Sequence, residues 1–371
     1  MNILHIHTSM HLGGVESVIR ELANEMSKKH TVSVCTIFDP QKESGFEDKL
    51  STSITRYSLG KKKRGFSLIE IFKIFIFIKK HHFDVIHIHG FFYYYALTIL
   101  LLHKKRNFIY TVHSDAYQEC SRWDKRLFFL KKIAFKLKWM YPVTISHASQ
   151  QSFNSLYHTE SALIHNGIKE YSKRTLPNLQ KYRYTSNTKI FLHPGRITEA
   201  KNQIVLCDVF QKLITEGEDV VLLIAGSRDD ENIFYKISTF FSDRIIYLGE
   251  RSDIRDLLCA ADAFCLPSNW EGFPISLLEA ISVGCIPICS PVGGIPEVIT
   301  DKENGFLSYN SSEHAYYLAV RNYLNQTSDT LINIKNECIK TFSKFTIEHT
   351  VNKYIRLYRE GNNRVIRHSD Y

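Results

Sequence analysis

The residues best suited to chemistry lie in Pro267-Ser268-Asn269-Trp270-Glu271-Gly272-Phe273-Pro274-Ile275-Ser276-Leu277-Leu278-Glu279-Ala280. The apolar run Ala263-Phe264-Cys265-Leu266 just before it reads as a buried parallel strand. A loop with one acid and one glycine follows. Pro274 suits the first position of a helix, where its fixed φ fits and its missing N–H costs nothing. Gly284 is placed to end that helix. The N–H groups of Ile275, Ser276 and Leu277 are then unpaired and, with the helix dipole, favour a phosphate or sugar hydroxyls. At about 1.5 Å rise per helical residue, Glu271 and Glu279 should stand on the order of 10 Å apart. That is too far to share a proton. It suits two acids gripping opposite ends of one extended ligand, and it equally suits two surface acids beside a core helix.

Other polar residues fall at the ends of predicted strands. Ile190–Arg196 reads as a strand entering a turn, and Lys201 precedes a helix over Gln203–Leu213. Arg196 and Lys201 could clamp a diphosphate, the first with a fork and the second as a point charge. Asn107–Ser114 is a strand with His113 at its C-terminal edge, where open α/β sheets bind ligands. There His113 is either a hydrogen-bonding group or a turn residue packed on Tyr110. Residues 2–7 form a strand running into a Gly13-Gly14 turn and a helix over Val15–Lys28, which brings bare backbone N–H groups close to a phosphate or simply connects tightly. His87 and His89 face the same way on a strand, but with no third ligand in view a zinc site is disfavoured.

The Pro267-Ser268, Glu271-Gly272-Phe273-Pro274 and Glu279-Ala280 elements together resemble the nucleotide-binding signature of the retaining glycosyltransferases of family 4. The resemblance covers nearly the whole chain, most strongly from Gly195 to Asn304. It implies a GT-B fold, two Rossmann-like α/β domains with mostly parallel sheets facing across a cleft that closes on the ligands. Residues 1–170 would form the acceptor domain and 188–345 the donor domain, with a closing helix within 346–371 packing back on the first. In this resemblance Glu271, beside the N–H groups of Gly272 and Phe273, holds the donor sugar, and His113 faces that sugar. Arg196, Lys201 and the amides after Pro274, including those of Ser276 and Leu277, hold the diphosphate. Glu279 holds the ribose, Arg251 lies near the base, and Gly13-Gly14 closes over the diphosphate. The implied reaction transfers a sugar, with retention, from a nucleotide diphosphate sugar, with UDP expected, to a hydroxyl of a glycan or lipid-linked glycan in surface polysaccharide synthesis. A nucleotide-sugar 2-epimerase of the same fold and a non-catalytic nucleotide-sugar-binding protein are the alternatives.

Composition sets the bounds. Alternating strands and helices across 371 residues fit two α/β domains. The net charge is +9, and residues 1–170 hold 24 basic against 14 acidic residues while the remainder is nearly balanced. That excess is either a solubilising surface or an attraction to an anionic membrane or lipid-linked pyrophosphate. A helix over Arg126–Tyr141, apolar on one side and lysine-rich on the rest, suits a helix resting on a membrane surface and equally a crossover helix with a cationic outer face, the reading favoured for folding, whether or not that face also touches lipid head groups. No D-x-D, H-e-x-x-H zinc motif, P-loop or G-x-S-x-G occurs, so no cofactor or metal is expected. A nucleic-acid role is not expected either. The eight cysteines include no C-x-x-C and read as reduced core residues. The start lacks a signal-peptide pattern. The longest apolar run, Phe91–Leu102, is shorter than the roughly 20 residues of a membrane span. A cytoplasmic enzyme, peripheral on the inner face of the cytoplasmic membrane, is the expectation.

Overall fold

The structure is a computed structural model, and it describes residues 1–10, 13–38, 49–62, 67–119, 122–172 and 177–369. The chain divides into two compact units, Met1–Lys169 with Ile347–Tyr371, and Glu170–Thr346.

The first unit runs β1 (Asn2–His7), α1 (Gly14–Met26), β2 (Thr31–Phe38), β3 (Thr55–Lys61), α2 (Leu68–Lys80), β4 (Val85–His89), α3 (Ala96–Leu102) and β5 (Asn107–Val112). It continues with α4 (Ala116–Glu119), α5 (Arg122–Arg126), α6 (Phe128–Lys136), β6 (Tyr141–Thr144), α7 (His147–Tyr157) and β7 (Ala162–Leu163). The seven strands pair in the order β3-β2-β1-β4-β5-β6-β7, all parallel. Strands of such a sheet are covered on both faces and read as apolar runs; Ile3, Leu4, Ile6, Ile86 and Ile88 are fully buried. The order reverses between β1 and β4, and that switch point is where doubly wound sheets bind ligands.

The second unit holds β8 (Lys189–Pro194), α8 (Gln203–Thr215), β9 (Val220–Ala225), α9 (Glu231–Ser238), β10 (Ile245–Gly249), α10 (Ile254–Ala260) and β11 (Ala263–Leu266). After these come α11 (Ile275–Ser282), β12 (Ile286–Cys289), β13 (Phe306–Leu307), α12 (Glu313–Leu324) and α13 (Ser328–Phe342). Its sheet, ordered β10-β9-β8-β11-β12-β13, is also parallel throughout. The order reverses between β8 and β11. The closing helix α14 (Ile347–Ser369) returns to the first unit. There Tyr354 Oη lies 3.0 Å from Thr111 Oγ1, and Tyr358 Oη lies 2.6 Å from His87 Nδ1.

Several expectations need correction. The single helix over Arg126–Tyr141 is broken: α5 ends at Arg126, α6 ends at Lys136, and Lys138 takes a left-handed φ of 57° that turns the chain into β6. Lys131 is not on the outer face but buried, its Nζ 3.1 Å from Tyr110 Oη and above that ring. The sheet's edge strand β3 carries no strong strand signal in the sequence. Three of its seven residues are exposed and only Tyr57 and Leu59 pack on the core, so the strand shows little apolar alternation in the sequence. Lys61, the first of four consecutive basic residues, is buried 3.5 Å from Glu70; residues 39–48 and 63–66 lie outside the described residues. The apolar run from Ala162 forms a strand only as far as Leu163. The carbonyls of His165 and Ile168 accept instead from Thr350 and Ile347 at the start of α14. Arg183, between the two expected domains, is tied into the second unit by its bond to Asp262 at 2.9 Å; residues 173–176 are outside the described residues. α1 begins at Gly14, one residue early, and Pro274 is the N-cap of α11 rather than its first residue, with extended ψ of 123°. Among the described residues no helix is long and apolar enough to cross a membrane.

Candidate active site

In the second unit the candidate residues gather at the C-terminal ends of β8 and β11. Lys201 Nζ donates to Glu271 Oε1 at 2.6 Å, and Ser268 Oγ donates to the same oxygen at 2.6 Å. The pair is mostly buried, with side chains 18% and 10% exposed. Backbone bonds sew the two loops together. Asn269 N donates to Ala200 O at 2.8 Å, and Asn202, in the left-handed region at φ 54°, reaches Pro267 O with its amide. The Glu271 loop is fixed from below by Gly293, at φ 58°. A β-carbon there would sit 2.1 Å from Glu271 O, and Gly294 N donates to Gly272 O at 2.8 Å. Only glycine allows that approach.

The N-terminus of α11 has no side-chain cap, so its first-turn amides at Ile275, Ser276 and Leu277 have no intrahelical acceptor. Glu279, one turn further on, is 3.3 Å from Arg255 Nε. Glu271 and Glu279 thus belong to two separate ion pairs, each made with a cation from another element. Arg196 is exposed beside Asp229 at 3.1 Å. Arg251 lies on the loop after β10 in a forked bond to Asp253, at 2.9 and 2.6 Å. That bond raises the Arg251 pKa and lowers that of Asp253.

Sequence reading missed His193 and Gln203 beneath the Arg196 loop. His193 Nδ1 donates to Cys265 O at 2.9 Å, and Gln203 Nε2 reaches both His193 Nε2 at 3.1 Å and Arg196 O at 2.8 Å. Burial lowers the His193 pKa to about 4, opposed by its bond to the Cys265 carbonyl and reinforced by Lys201. A neutral ring follows, which suits a support beneath cations.

In the first unit the switch point is filled by histidines. The register pairs His5 with His87 across β1 and β4, and both are fully buried, as is His89. His5 Nδ1 lies 3.1 Å from His89 Nε2, and His89 Nδ1 lies 2.9 Å from His113 Nε2. His87 is held at both nitrogens, by Tyr358 Oη at 2.6 Å and Thr111 Oγ1 at 2.7 Å. His7 Nδ1 donates to His89 O at 2.5 Å and its Nε2 faces Glu16 at 3.6 Å. The expectation that His87 and His89 lack a third metal ligand is corrected: His5 brings a third ring nitrogen within 4.8 Å. The hydrogen bonds just named nonetheless occupy every nitrogen of the three rings except His5 Nε2. The cluster is a hydrogen-bonded histidine chain. Its signal in the sequence was the repeated His-x-His of His5-Ile6-His7 and His87-Ile88-His89. His113 is half-buried just past the end of β5. Gly13 caps α1 with Glu16 folded against it, and Gly14 opens that helix; the preceding His11 and Leu12 are outside the described residues.

This arrangement, two parallel sheets with a cation–carboxylate pair and an open helix N-terminus at one switch point, is that of a doubly wound ligand-binding protein. Residues 12–170 match Glycosyltransferase Family 4 and residues 177–340 match Glycosyl transferases group 1. The chain belongs to the family 4 glycosyltransferases. It is similar to the Escherichia coli UDP-Gal:alpha-D-GlcNAc-diphosphoundecaprenol alpha-1,3-galactosyltransferase, 26% identical with 96% of each chain covered. It is also similar to the Staphylococcus aureus capsular polysaccharide biosynthesis glycosyltransferase CapH, 27% identical over 80% of this chain and 83% of that one. Among solved structures, Anabaena HepE in complex with UDP and glucose has a TM-score of 0.80 at 18% identity, covering 96% of this chain and 99% of that chain. WaaG, a glycosyltransferase involved in lipopolysaccharide biosynthesis, has a TM-score of 0.75 at 16% identity, with 96% and 99% covered. The fold is GT-B, and the chain is a glycosyltransferase of glycan biosynthesis.

Proposed function

We propose that this enzyme transfers a hexose from a UDP-sugar to a hydroxyl of a lipid-linked glycan, with retention of configuration, in bacterial surface polysaccharide synthesis. The observation that carries the reading is the Lys201–Glu271 pair at the β8/β11 switch point, where a ligand of a doubly wound sheet belongs. The E. coli relative's printed donor, UDP-Gal, and diphosphoundecaprenol acceptor support the substrate classes. In this reading Glu271 and the amides of Gly272 and Phe273 hold the sugar hydroxyls, and His113 bonds the sugar. The diphosphate is bound by Arg196, Lys201, the amides at Gly13-Gly14 and those of the first turn of α11. Glu279 takes the ribose, and the loop at Arg251 borders the base. The bond from C1 to the diphosphate oxygen breaks as the acceptor oxygen attacks on the same face, and the leaving phosphate takes the hydroxyl proton. Cations and amides aimed at the departing diphosphate stabilise its growing charge, so the reaction needs no metal.

Thermal shift with UDP, GDP, ADP and UDP-galactose, in EDTA, tests this. UDP and UDP-galactose should stabilise the protein, and Glu279→Ala should remove the shift. A shift with none of the nucleotides would overturn the donor site.

The reading extends to the membrane on which such an acceptor sits. Helix α3 packs against both α2 and α6. Together they expose Leu68, Ile69, Phe72, Ile76, Leu101, Phe129 and Leu137, the last of these 57% exposed and Phe129 78%. Exposed lysines stand beside them at Lys73, Lys79, Lys80, Lys104, Lys105 and Lys136. Apolar groups flanked by ammonium groups match an anionic bilayer surface. The full-length enzyme should sediment with vesicles containing phosphatidylglycerol at low salt and less so with Phe72→Ser/Phe129→Ser. Equal sedimentation with neutral vesicles, or none, would discard the surface.

A further inference from the structure

The three bonded imidazoles His5, His89 and His113 hold a fixed number of protons, and that number determines what His113 offers. Burial lowers the pKa of His5 and of His113 to about 3 and that of His89 well below the usual value, so each ring is neutral and carries one N–H. The two N···N contacts, at 3.1 and 2.9 Å, each require one donor and one acceptor. Three protons therefore fill two bonds and leave one at an end of the chain. Either His5 Nε2 carries it, with every ring protonated on Nε2, or His113 Nδ1 carries it, with every ring protonated on Nδ1.

The two ends differ. His5 Nε2 is buried with no partner, and an orphaned buried N–H is rarer than an unpaired acceptor. His113 Nδ1 is bonded to nothing among the described residues, and its residue is half-buried at the sheet edge. The neighbours leave this choice alone. His87 is satisfied by Tyr358 and Thr111, and His7 donates to the His89 carbonyl with its Nε2 3.6 Å from Glu16.

We infer that His5 and His89 are positioning residues that hold the proton of His113 on Nδ1, so that His113 is a hydrogen-bond donor to an oxygen of the donor sugar; this rests on the proposed contact of His113 with that sugar. Free neutral histidine favours the Nε2 proton, so the buried chain imposes a tautomer that the ring would not choose, through the bond made by its other nitrogen.

The test is NMR of the full-length protein with 15N-labelled histidine, paired with turnover of UDP-galactose. Nitrogen shifts should show His5, His89 and His113 protonated on Nδ1, with assignment by single His→Gln variants. A His113 protonated on Nε2 would overturn the proposal. His5→Leu removes the donor to His89 and should lower kcat about tenfold, with KM and UDP affinity within about twofold of wild type. His5→Asn keeps an amide donor and should restore most of the rate. Equal rates in the Leu and Asn variants would overturn the relay, as would stoichiometric zinc in the purified protein that His5→Leu removes. Full turnover in His113→Ala would refute the sugar contact and the relay's role with it. The NMR pattern in wild type would then still report whether the chain of protons exists, so the two failures are separable.

Discussion

The two units solve the same topological problem with opposite electrostatics. Each places polar side chains where its parallel strand order reverses, yet the first buries neutral imidazoles there and the second sets cations against carboxylates. Neutral dipoles can be buried deeply once hydrogen-bonded, whereas charges must stay paired or near water. The exposures follow: His5, His87 and His89 are fully buried, while Arg196 is 58% exposed.

The largest test of the ionic half is Glu271→Ala. Transfer should fall by about 10²–10³-fold in kcat if the lost group acts on the reacting sugar as proposed. The comparison makes a further demand: Lys201 is held by Glu271, so its release should leave UDP affinity unchanged or tighter in calorimetry. Weaker UDP binding would show that the pair is structural and that the two loops separate without it.

Acid should separate the units next. His5 and His113 titrate near pH 3 in the folded protein against 6.5 for the free group. Between those values the unfolded chain binds more protons, so stability falls as pH drops from 6.5 toward 3. The slope is about 1.4 kcal/mol per pH unit for each histidine. His87 and His89 shift in the same direction. In the second unit, among the described residues, His193 adds to this effect with a folded value of about 4, and Asp219 and Asp253, whose pKa values are lowered, add to it only at the acid end; in the first unit Glu119, raised to about 7 by burial, offsets one of the histidines. Hydrogen exchange should therefore show β1 and β4 losing protection before β8 and β11 as pH falls from about 6 to 4. Simultaneous loss would mean that the histidine chain is not what sets acid sensitivity.

How much of this was legible in the sequence also divides between the units. Parallel strands buried on both faces announce themselves as apolar runs, so β9 and β11 were readable. The edge strand β3, Thr55–Lys61, was not, because it offers only Tyr57 and Leu59 to the core among polar residues. The Glu271 loop carried its signal locally, in a glycine, a proline and an acid within four residues. Its partners came from other elements: Arg255 for Glu279, and Gly293 beneath Glu271. Nothing in sequence spacing reveals such pairs, because they depend on register between strands far apart in the chain. The histidine chain shows the same limit. Two His-x-His repeats were visible, but only the β1–β4 register and the arrival of Tyr358 from α14 decide which nitrogens meet.

The smallest effects test whether the exposed cations belong to the ligand at all. Arg196 lies beside Asp229 at 3.1 Å with its side chain 58% exposed, a pair of the kind worth about 0–1 kcal/mol. Such a weak partner yields easily to a diphosphate. Arg196→Ala should weaken UDP binding about tenfold, roughly 1.4 kcal/mol, and Arg196→Lys should recover only part of that, since an ammonium lacks the fork. Asp229→Asn should then tighten UDP by about threefold at most, because it removes the competing carboxylate without touching the cation. Calorimetry of the three variants at one salt concentration reads all of these shifts. If Asp229→Asn weakens UDP instead, the carboxylate is orienting Arg196 rather than competing for it, and the ionic half of the comparison becomes as preorganised as the histidine half.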